Sequence, residues 1–500
     1  MGKADLSTIR TAGKRISTGS AGLDEIVGGG LPVRRTYLLV GSAGTGKTIL
    51  ALQWLREGLR LGERSLFITL MEPAAQIARN IEDLGWSLDG ISVIDLAPRG
   101  AADGDAGEEY RIFAPGDVER MQAWKAIYDA VDKHQPSRLV IDSITQLRYL
   151  STDEYQFRRH MLQLVAGLNE RGCTTMLVYE PEEFRAESSV SLAVDGVLHL
   201  KYQVSAGLSI GMRTVEVTKL RSSDFVTGYH PFRITSQGLS VFPHRVERTV
   251  GDGKARSRQL QSGIAELDDM FGGGLESGTT TLLSGPAGVG KTTLGVQILS
   301  RVPAGARAAL LTFEESRESV LARCRGIGMP VDEAIASGRL QIRRINPLEH
   351  YPDELLEIVR DMVEKHGVGY FMLDSLRGYE LAIEEFGKPQ MHVHNLLAYL
   401  NRKDVTTLVV AETEDIAGGK LTATEIGVSH LADNIVLLRY AEHEGRLIKV
   451  ICCLKKRLSG FQPELRELQV TAKGIKLSEK LQNMRGILTG VPILTAAQAP

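Results

Sequence analysis

Five hundred residues is length for two to four domains at roughly 150 residues each, and 43% hydrophobic with 24% charged residues is the make-up of ordinary globular cores. A formal net charge of −2 gives no sign of a dedicated nucleic-acid coat or an acidic tail and is compatible with a local basic surface. The four cysteines, Cys173, Cys324, Cys452 and Cys453, form no C-x-x-C pair, which speaks against a structural zinc and for reduced thiols in a cytoplasmic protein.

The opening "MGKADLSTIR" lacks the apolar stretch of a signal peptide, and no run of about 18 apolar residues predicts a membrane span. Residues 1–14 therefore read as an extension. "TYLLVG" (36–41) is a buried strand, and "TILALQWLREGLRLG" (48–62) has helical spacing and stops at glycine. "RSLFITL" (64–70) and "RLVIDS" (138–143) are further strands, separated by the Gly/Ala/Asp-rich loop "APRGAADGDAGEEY" (97–110). "DGVLHLKYQ", "MRTVEVTKLR" and "FRITSQGLSVF" then read as antiparallel strands with tight turns. A polar linker occupies 244–260.

The pattern then restarts. Residues 261–292, "QSGIAELDDMFGGGLESGTTTLLSGPAGVGKT", repeat residues 17–48, "STGSAGLDEIVGGGLPVRRTYLLVGSAGTGKT", at a constant offset. "YFMLDSLRGY" answers "RLVIDSITQL", and "VICCLKKRLS" answers "VEVTKLRSS". So long an offset means two whole cores rather than a solenoid of short repeats. The expected domains are 15–243 and 261–485, with a tail at 486–500. The loop lysine precedes its partner aspartate by 95 residues in the first copy and 83 in the second, and the extra length is expected near 97–110. Alternating strands and helices imply an α/β fold in both copies: a mostly parallel central sheet flanked by helices, with antiparallel C-terminal strands.

G-x-x-x-x-G-K-[ST] between a strand and a helix is a phosphate-binding loop. Gly41, Gly44 and Gly46, with Ser42, Ala43 and Thr45 between them, let inward amides form a nest for phosphate oxygens. Lys47 supplies a point charge and Thr48 a hydroxyl for Mg²⁺. Gly285, Pro286, Ala287, Gly288, Val289, Gly290, Lys291, Thr292 and Thr293 repeat the arrangement. Asp142 and Asp374 close apolar strands, where ligands bind in open α/β sheets, and are expected to hold Mg²⁺ through its water shell. A carboxylate must also polarise the attacking water or hydroxyl. "LLTFEES" offers Glu314 and Glu315; "FITLMEP" offers Met71 and Glu72, and methionine is no base.

The double "GGGL…GxAGxGKT" unit, the "TFEE" and "DS" strand ends and the late "KLR"/"KKR" strands resemble the KaiC family of RecA-type ATPases, over almost the entire chain. The resemblance implies two tandem RecA-like domains that stack as rings in a homohexamer, with ATP·Mg²⁺ between subunits. It implies a slow ATPase in the first ring and a Ser/Thr autokinase in the second, within a clock-like or signalling switch. It makes Glu314 the base for phosphotransfer. It also makes Lys219, Leu220 and Arg221 in the first ring, and Lys455 and Arg457 in the second, the residues that reach a neighbour's nucleotide. Ser429 falls on the family's acceptor serine, His430 on its acceptor threonine, and Thr424 on a third threonine; Ser191 is the first-copy counterpart of Ser429. The family tail that recruits KaiA is largely missing after "RGILTGVP", which speaks against a KaiA-like partner, while a KaiB-like partner on the first ring is compatible.

Two other readings share the loops. A nucleic-acid motor predicts basic, aromatic-laced segments, the best candidates being "KHQPSR" (133–138) and "ITQLRYL" (144–150), without support from net charge. An ATP-gated, non-kinase assembly switch agrees with Met71 in the first site and disagrees with the glutamate pair of the second.

Overall fold

Alternation along the apolar strands decides the architecture. Leu38 and Val40 face one core and Tyr37 and Leu39 the other, as a two-residue period requires of a strand buried on both faces. The computed structural model describes residues 13–97, 115–149, 151, 153–180, 189–204, 211–245, 258–384, 386–413, 430–443, 445–472, 474–482, 484–485 and 493–494. The chain divides into two units, Met1–Arg245 and Val246–Pro500.

The main sheet of the first unit contains β1 (Thr36–Val40), β2 (Ser65–Thr69), β3 (Ser92–Asp95), β4 (Arg138–Asp142), β5 (Thr174–Tyr179), β6 (Gly196–Val204), β7 (Gly211–Leu220), β8 (Tyr229–Thr235) and β9 (Gly238–Val241). Among the described residues their order is β3-β2-β4-β5-β1-β6-β7-β8-β9. Pairing is parallel from β3 to β6 and antiparallel from β6 to β9. Helix α1 (Lys47–Arg60) and α2 (Ala74–Glu82) cover one face; α3 (Pro115–His134) and α4 (Glu154–Glu170) cover the other.

The second unit repeats this plan with β10 (Thr280–Gly285), β11 (Arg307–Thr312), β12 (Leu340–Arg344), β13 (Val368–Asp374), β14 (Thr406–Glu412), β15 (Asn434–His443), β16 (Arg446–Lys456), β17 (Arg466–Thr471) and β18 (Gly474–Lys480). Their order, β12-β11-β13-β14-β10-β15-β16-β17-β18, is the first order position for position. Its helices include α5 (Lys291–Ser300), α6 (Arg317–Gly326), α7 (Pro352–Glu364), α8 (Leu376–Ile383) and α9 (Pro389–Arg402). The expected α/β class holds: these are two tandem RecA-like P-loop domains. The extra length of the first copy falls between β3 and α3, residues 96–114, where the second copy has only 345–351 between β12 and α7. Most of the loop quoted for it lies outside the described residues.

A short ribbon precedes each main sheet. Arg15–Ile16 pairs with Leu31–Pro32, and Gln259–Leu260, within the stretch read as linker, pairs with Leu275–Glu276. The triple-glycine turn inside each ribbon turns carbonyls inward, and each set is met by a cation from a different segment. Arg15 Nη1 donates to the carbonyls of Val27 (2.6 Å) and Gly30 (2.8 Å). In the second unit, Lys456 Nζ, at the end of β16, donates to the carbonyls of Phe271 and Gly274 and pairs with Glu276 at 2.8 Å.

Arg138 opens β4 with a wholly buried side chain. Its guanidinium donates to the carbonyls of Ser17 and Trp54, each at 2.8 Å, and to Glu63 Oε2 at 2.5 Å, with the Trp54 ring beneath it. Arg148 pairs with Glu154 at 3.0 Å. Arg138, in the first segment considered for nucleic acid, is therefore committed within the fold, whereas Arg148 of the second forms a partly exposed ion pair.

Candidate nucleotide sites

Each loop leaves a central strand and enters a helix whose first residue is the loop lysine. Gly46 (φ 100°) and Gly290 (φ 117°) hold the left-handed conformation that turns the chain into α1 and α5. A Cβ at Gly41 or Gly285 would collide with the carbonyl oxygen of Leu200 or Leu438 on the neighbouring strand. The cradle is thus shaped for backbone amides and an anion, and the residues present fit a nucleotide phosphate.

In the first site, Lys47 Nζ donates to the Ser42 carbonyl at 2.8 Å and lies 3.2 Å from Glu180 Oε2. Thr48 Oγ1 donates to Asp142 Oδ2 at 2.7 Å. A cleft of about 410 Å³, within the usual range for small-molecule sites, is lined by Lys47, Thr48, Glu72, Asn80, Asp142 and Glu180 among others. Burial pushes the Asp142 carboxyl up to about 6; the Thr48 hydroxyl and Lys47 hold it down, and Glu72 and Glu180 add to the rise. Met71 is half exposed, 3.9 Å through its sulfur from the Ser143 hydroxyl.

The second site is built alike. Lys291 Nζ donates to the carbonyls of Gly285 and Pro286 at 2.8 Å each and lies 3.6 Å from Glu412 Oε1. Thr292 hydrogen-bonds Asp374, whose carboxyl is pushed up to about 6 by burial first, then by Glu315 and Glu314. Where the first site has sulfur, here Ser375 Oγ donates to Glu314 Oε1 at 2.8 Å. Glu315 accepts from Arg323 Nη1 at 2.6 Å. The peptide bond after each strand-end aspartate is cis. Among the described residues no group of three or more acidic, His or Cys side chains forms a full metal-ligand set. A Mg²⁺ held by Thr48 and Asp142, or by Thr292 and Asp374, would keep most of its waters, as this ion does.

Sequence reasoning missed Glu180 and Glu412, although Glu180 directly follows β5 and Glu412 closes β14, the strands that flank the loop strand. The signal was present: "VYE" and "VAE" stand at the same offset from the two aspartates. It also missed Ser143, Ser375, Asn80 and Arg323.

The late cations lie elsewhere. Leu220 pairs with Gly196, which is level with Tyr37, so Lys219, Leu220 and Arg221, two strands away, are level with the start of β1, four residues or roughly 13 Å along the strand direction before Gly41. Lys456 pairs with Asn434, level with Thr281, which puts Lys455 and Arg457 equally far from Gly285. Lys219 Nζ donates to the Ser191 carbonyl at 2.7 Å, Lys455 Nζ to that of Ala432 at 2.6 Å, and Arg457 Nη2 to that of His430 at 2.9 Å. Ser429 and Thr424 lie outside the described residues.

The family model described as "ATPase: KaiC" matches residues 16–246 and again 260–482. The chain belongs to the KaiC ATPase family. It is 28% identical to the "Circadian clock protein KaiC3" of Synechocystis sp. over 97% of this chain and 95% of that relative. To the "Circadian clock oscillator protein KaiC" of Prochlorococcus marinus it is 28% identical over 96% and 95%. To that of Thermosynechococcus vestitus it is 29% identical over 96% and 92%. Membership makes the chain an ATP-binding protein of an ATP-hydrolysing family. Among the described residues no helix is long and apolar enough to cross a membrane.

Proposed function

We propose that this KaiC-family ATPase works as a two-tier homohexamer that completes each ATP site with a neighbouring copy, and that its second tier also transfers phosphate to Ser429 as part of a clock-like or signalling switch. The observation that carries the reading is the separation, within each unit, of the phosphate cradle from Lys219–Arg221 or Lys455–Arg457. These cations lie at the opposite end of the sheet from their own loop, which supports their serving a nucleotide held by another copy.

Cationic charge at the γ-phosphate stabilises the transition state. Lys47 or Lys291 and the loop amides hold the phosphates. Mg²⁺, when bound, neutralises charge on the phosphate oxygens. In the second tier Glu314, oriented by Ser375, takes the proton of the attacking hydroxyl. His430, next to Ser429 in sequence, accepts at its carbonyl from Arg457, so one of the distal cations lies beside the described residue that follows the proposed acceptor. A KaiB-like partner is compatible with this arrangement. Met71 favours a second reading for the first tier alone, in which nucleotide chiefly serves assembly.

Incubation of the pure protein with γ-labelled ATP and Mg²⁺, followed by mass spectrometry of residues 420–440, tests the transfer. Label at Ser429 or Thr424, lost in Glu314→Gln, is the expected result. Free phosphate with unlabelled protein would leave an ATPase only, and label that survives Glu314→Gln would overturn the assignment of the base.

A further inference from the structure

Glu72 and Glu315 occupy the same place in the two duplicated sites, but the residue at the equivalent position of the following helix differs. In the second site Arg323, on α6, donates to Glu315 Oε1 at 2.6 Å. Its Nε and Nη2 are buried with no hydrogen-bond partner among the described residues. The guanidinium is therefore balanced by Glu315 and, at longer range, by Asp374. In the first site the corresponding position on α2 is Asn80, which lines the same cleft as Glu72 and Asp142 and carries no charge with which to hold a carboxylate. Met71 stands there in place of Glu314.

We propose that Arg323 is a positioning residue that withdraws Glu315 from proton transfer, so that the two sites use different members of the duplicated carboxylate pair. Glu314 is the base in the second site and Glu72 in the first. The proposal rests on the ATPase reading. In the hydrolytic step the oxygen of water bonds to the γ-phosphorus. The bond from that phosphorus to the β–γ bridging oxygen breaks, ADP leaves with the electron pair, and the water proton passes to the carboxylate. For Glu315 to accept that proton it must first give up a charge-assisted hydrogen bond, which sets it back by roughly ten- to a hundred-fold against a free carboxylate. Glu314 is held by a neutral hydroxyl, and in the first site the position of Arg323 is the uncharged Asn80, so neither Glu314 nor Glu72 carries that handicap.

The test measures phosphate release by the full-length protein with one site silenced, by Lys47→Ala or by Lys291→Ala. With the second site alone, Glu314→Gln is expected to lower kcat by about 100-fold or more, and Glu315→Gln by less than about five-fold. Arg323→Asn frees Glu315, so adding Glu314→Gln to it costs at most about ten-fold; Arg323→Lys keeps the pairing and restores the full loss. With the first site alone, Glu72→Gln costs about 100-fold. Asn80→Arg lowers kcat by about ten-fold or more with KM changed by less than about two-fold, a split that a folding defect does not produce. Equal losses in Glu314→Gln and Glu315→Gln, or an unchanged kcat in Asn80→Arg, would overturn the proposal and leave the ATPase reading standing. Nucleotide binding without phosphate release in both single-site proteins would overturn the two together.

Discussion

Asp142 and Asp374 are among the most charge-sensitive residues of the chain. Each is raised from the ordinary 3.8 to about 6, chiefly by burial. A raised carboxyl stabilises the fold fully below the unfolded value near 3.8, and that stabilisation is lost as pH rises through about 6. Above pH 6 both sites therefore carry buried anions that weigh against the folded state until a bound cation balances them. Nucleotide with Mg²⁺ should raise the melting temperature more at pH 8 than at pH 5.5, where ion and proton compete for the same carboxylates. Calorimetry at the two pH values checks this, and equal shifts would contradict it. The aspartates were legible in the sequence because strand-end acids follow from local pattern alone. Glu180 and Glu412 were not, because their place beside the loop lysine depends on β5 and β14 being brought next to β1 and β10 by crossovers that no local pattern encodes. Arg323 escaped for a similar reason: it reaches Glu315 only because α6 folds back over the end of β11.

At the scale of elements, the strands and both loop helices were readable from alternation, spacing and stop glycines. Arg138 was not, since an arginine opening a strand ordinarily reads as a solvated end. Instead it ties β4 to the carboxyl half of α1 through the Trp54 carbonyl and to the ribbon edge through Ser17. Arg138→Ala strips all three partners at once and leaves Glu63 without its cation. Breaking such a buried pair costs about 3–5 kcal/mol. Two thermal transitions are expected for a two-unit chain, and only that of the first unit should fall. A uniform shift of both would show that the arginine is not a local clamp.

The whole molecule is a duplication in which the same sheet order carries two different charge patterns. If each site is completed by a neighbour, two defective proteins should repair one another. A copy with Lys47→Ala and Lys291→Ala retains its distal cations, and a copy with Arg221→Ala and Arg457→Ala retains its loops. Mixed and reassembled in ATP, they should recover about a quarter of wild-type turnover, because in an even random mixture only that share of boundaries joins an intact loop to intact cations. No recovery above the sum of the separate proteins, although mixed rings form, would show that those cations serve their own subunit. The duplication itself was plain in the sequence, since a fixed offset survives any drift in side chains. The proposed division of labour was legible only as far as Met71.

The cations that meet the two triple-glycine turns set different rules for cutting and rejoining the chain. Arg15 belongs to the first strand of its ribbon, whereas its counterpart position is Gln259 and the second turn is held from the far end of β16 by Lys456. A first unit begun at Ser17 would lose its cation together with its first ribbon strand, while a second unit begun at Gln261 would lose Gln259–Leu260 but keep Lys456. Trimming from the front therefore strips both strand and cation from the first turn, whereas the second turn keeps its cation because Lys456 comes from late in its own unit.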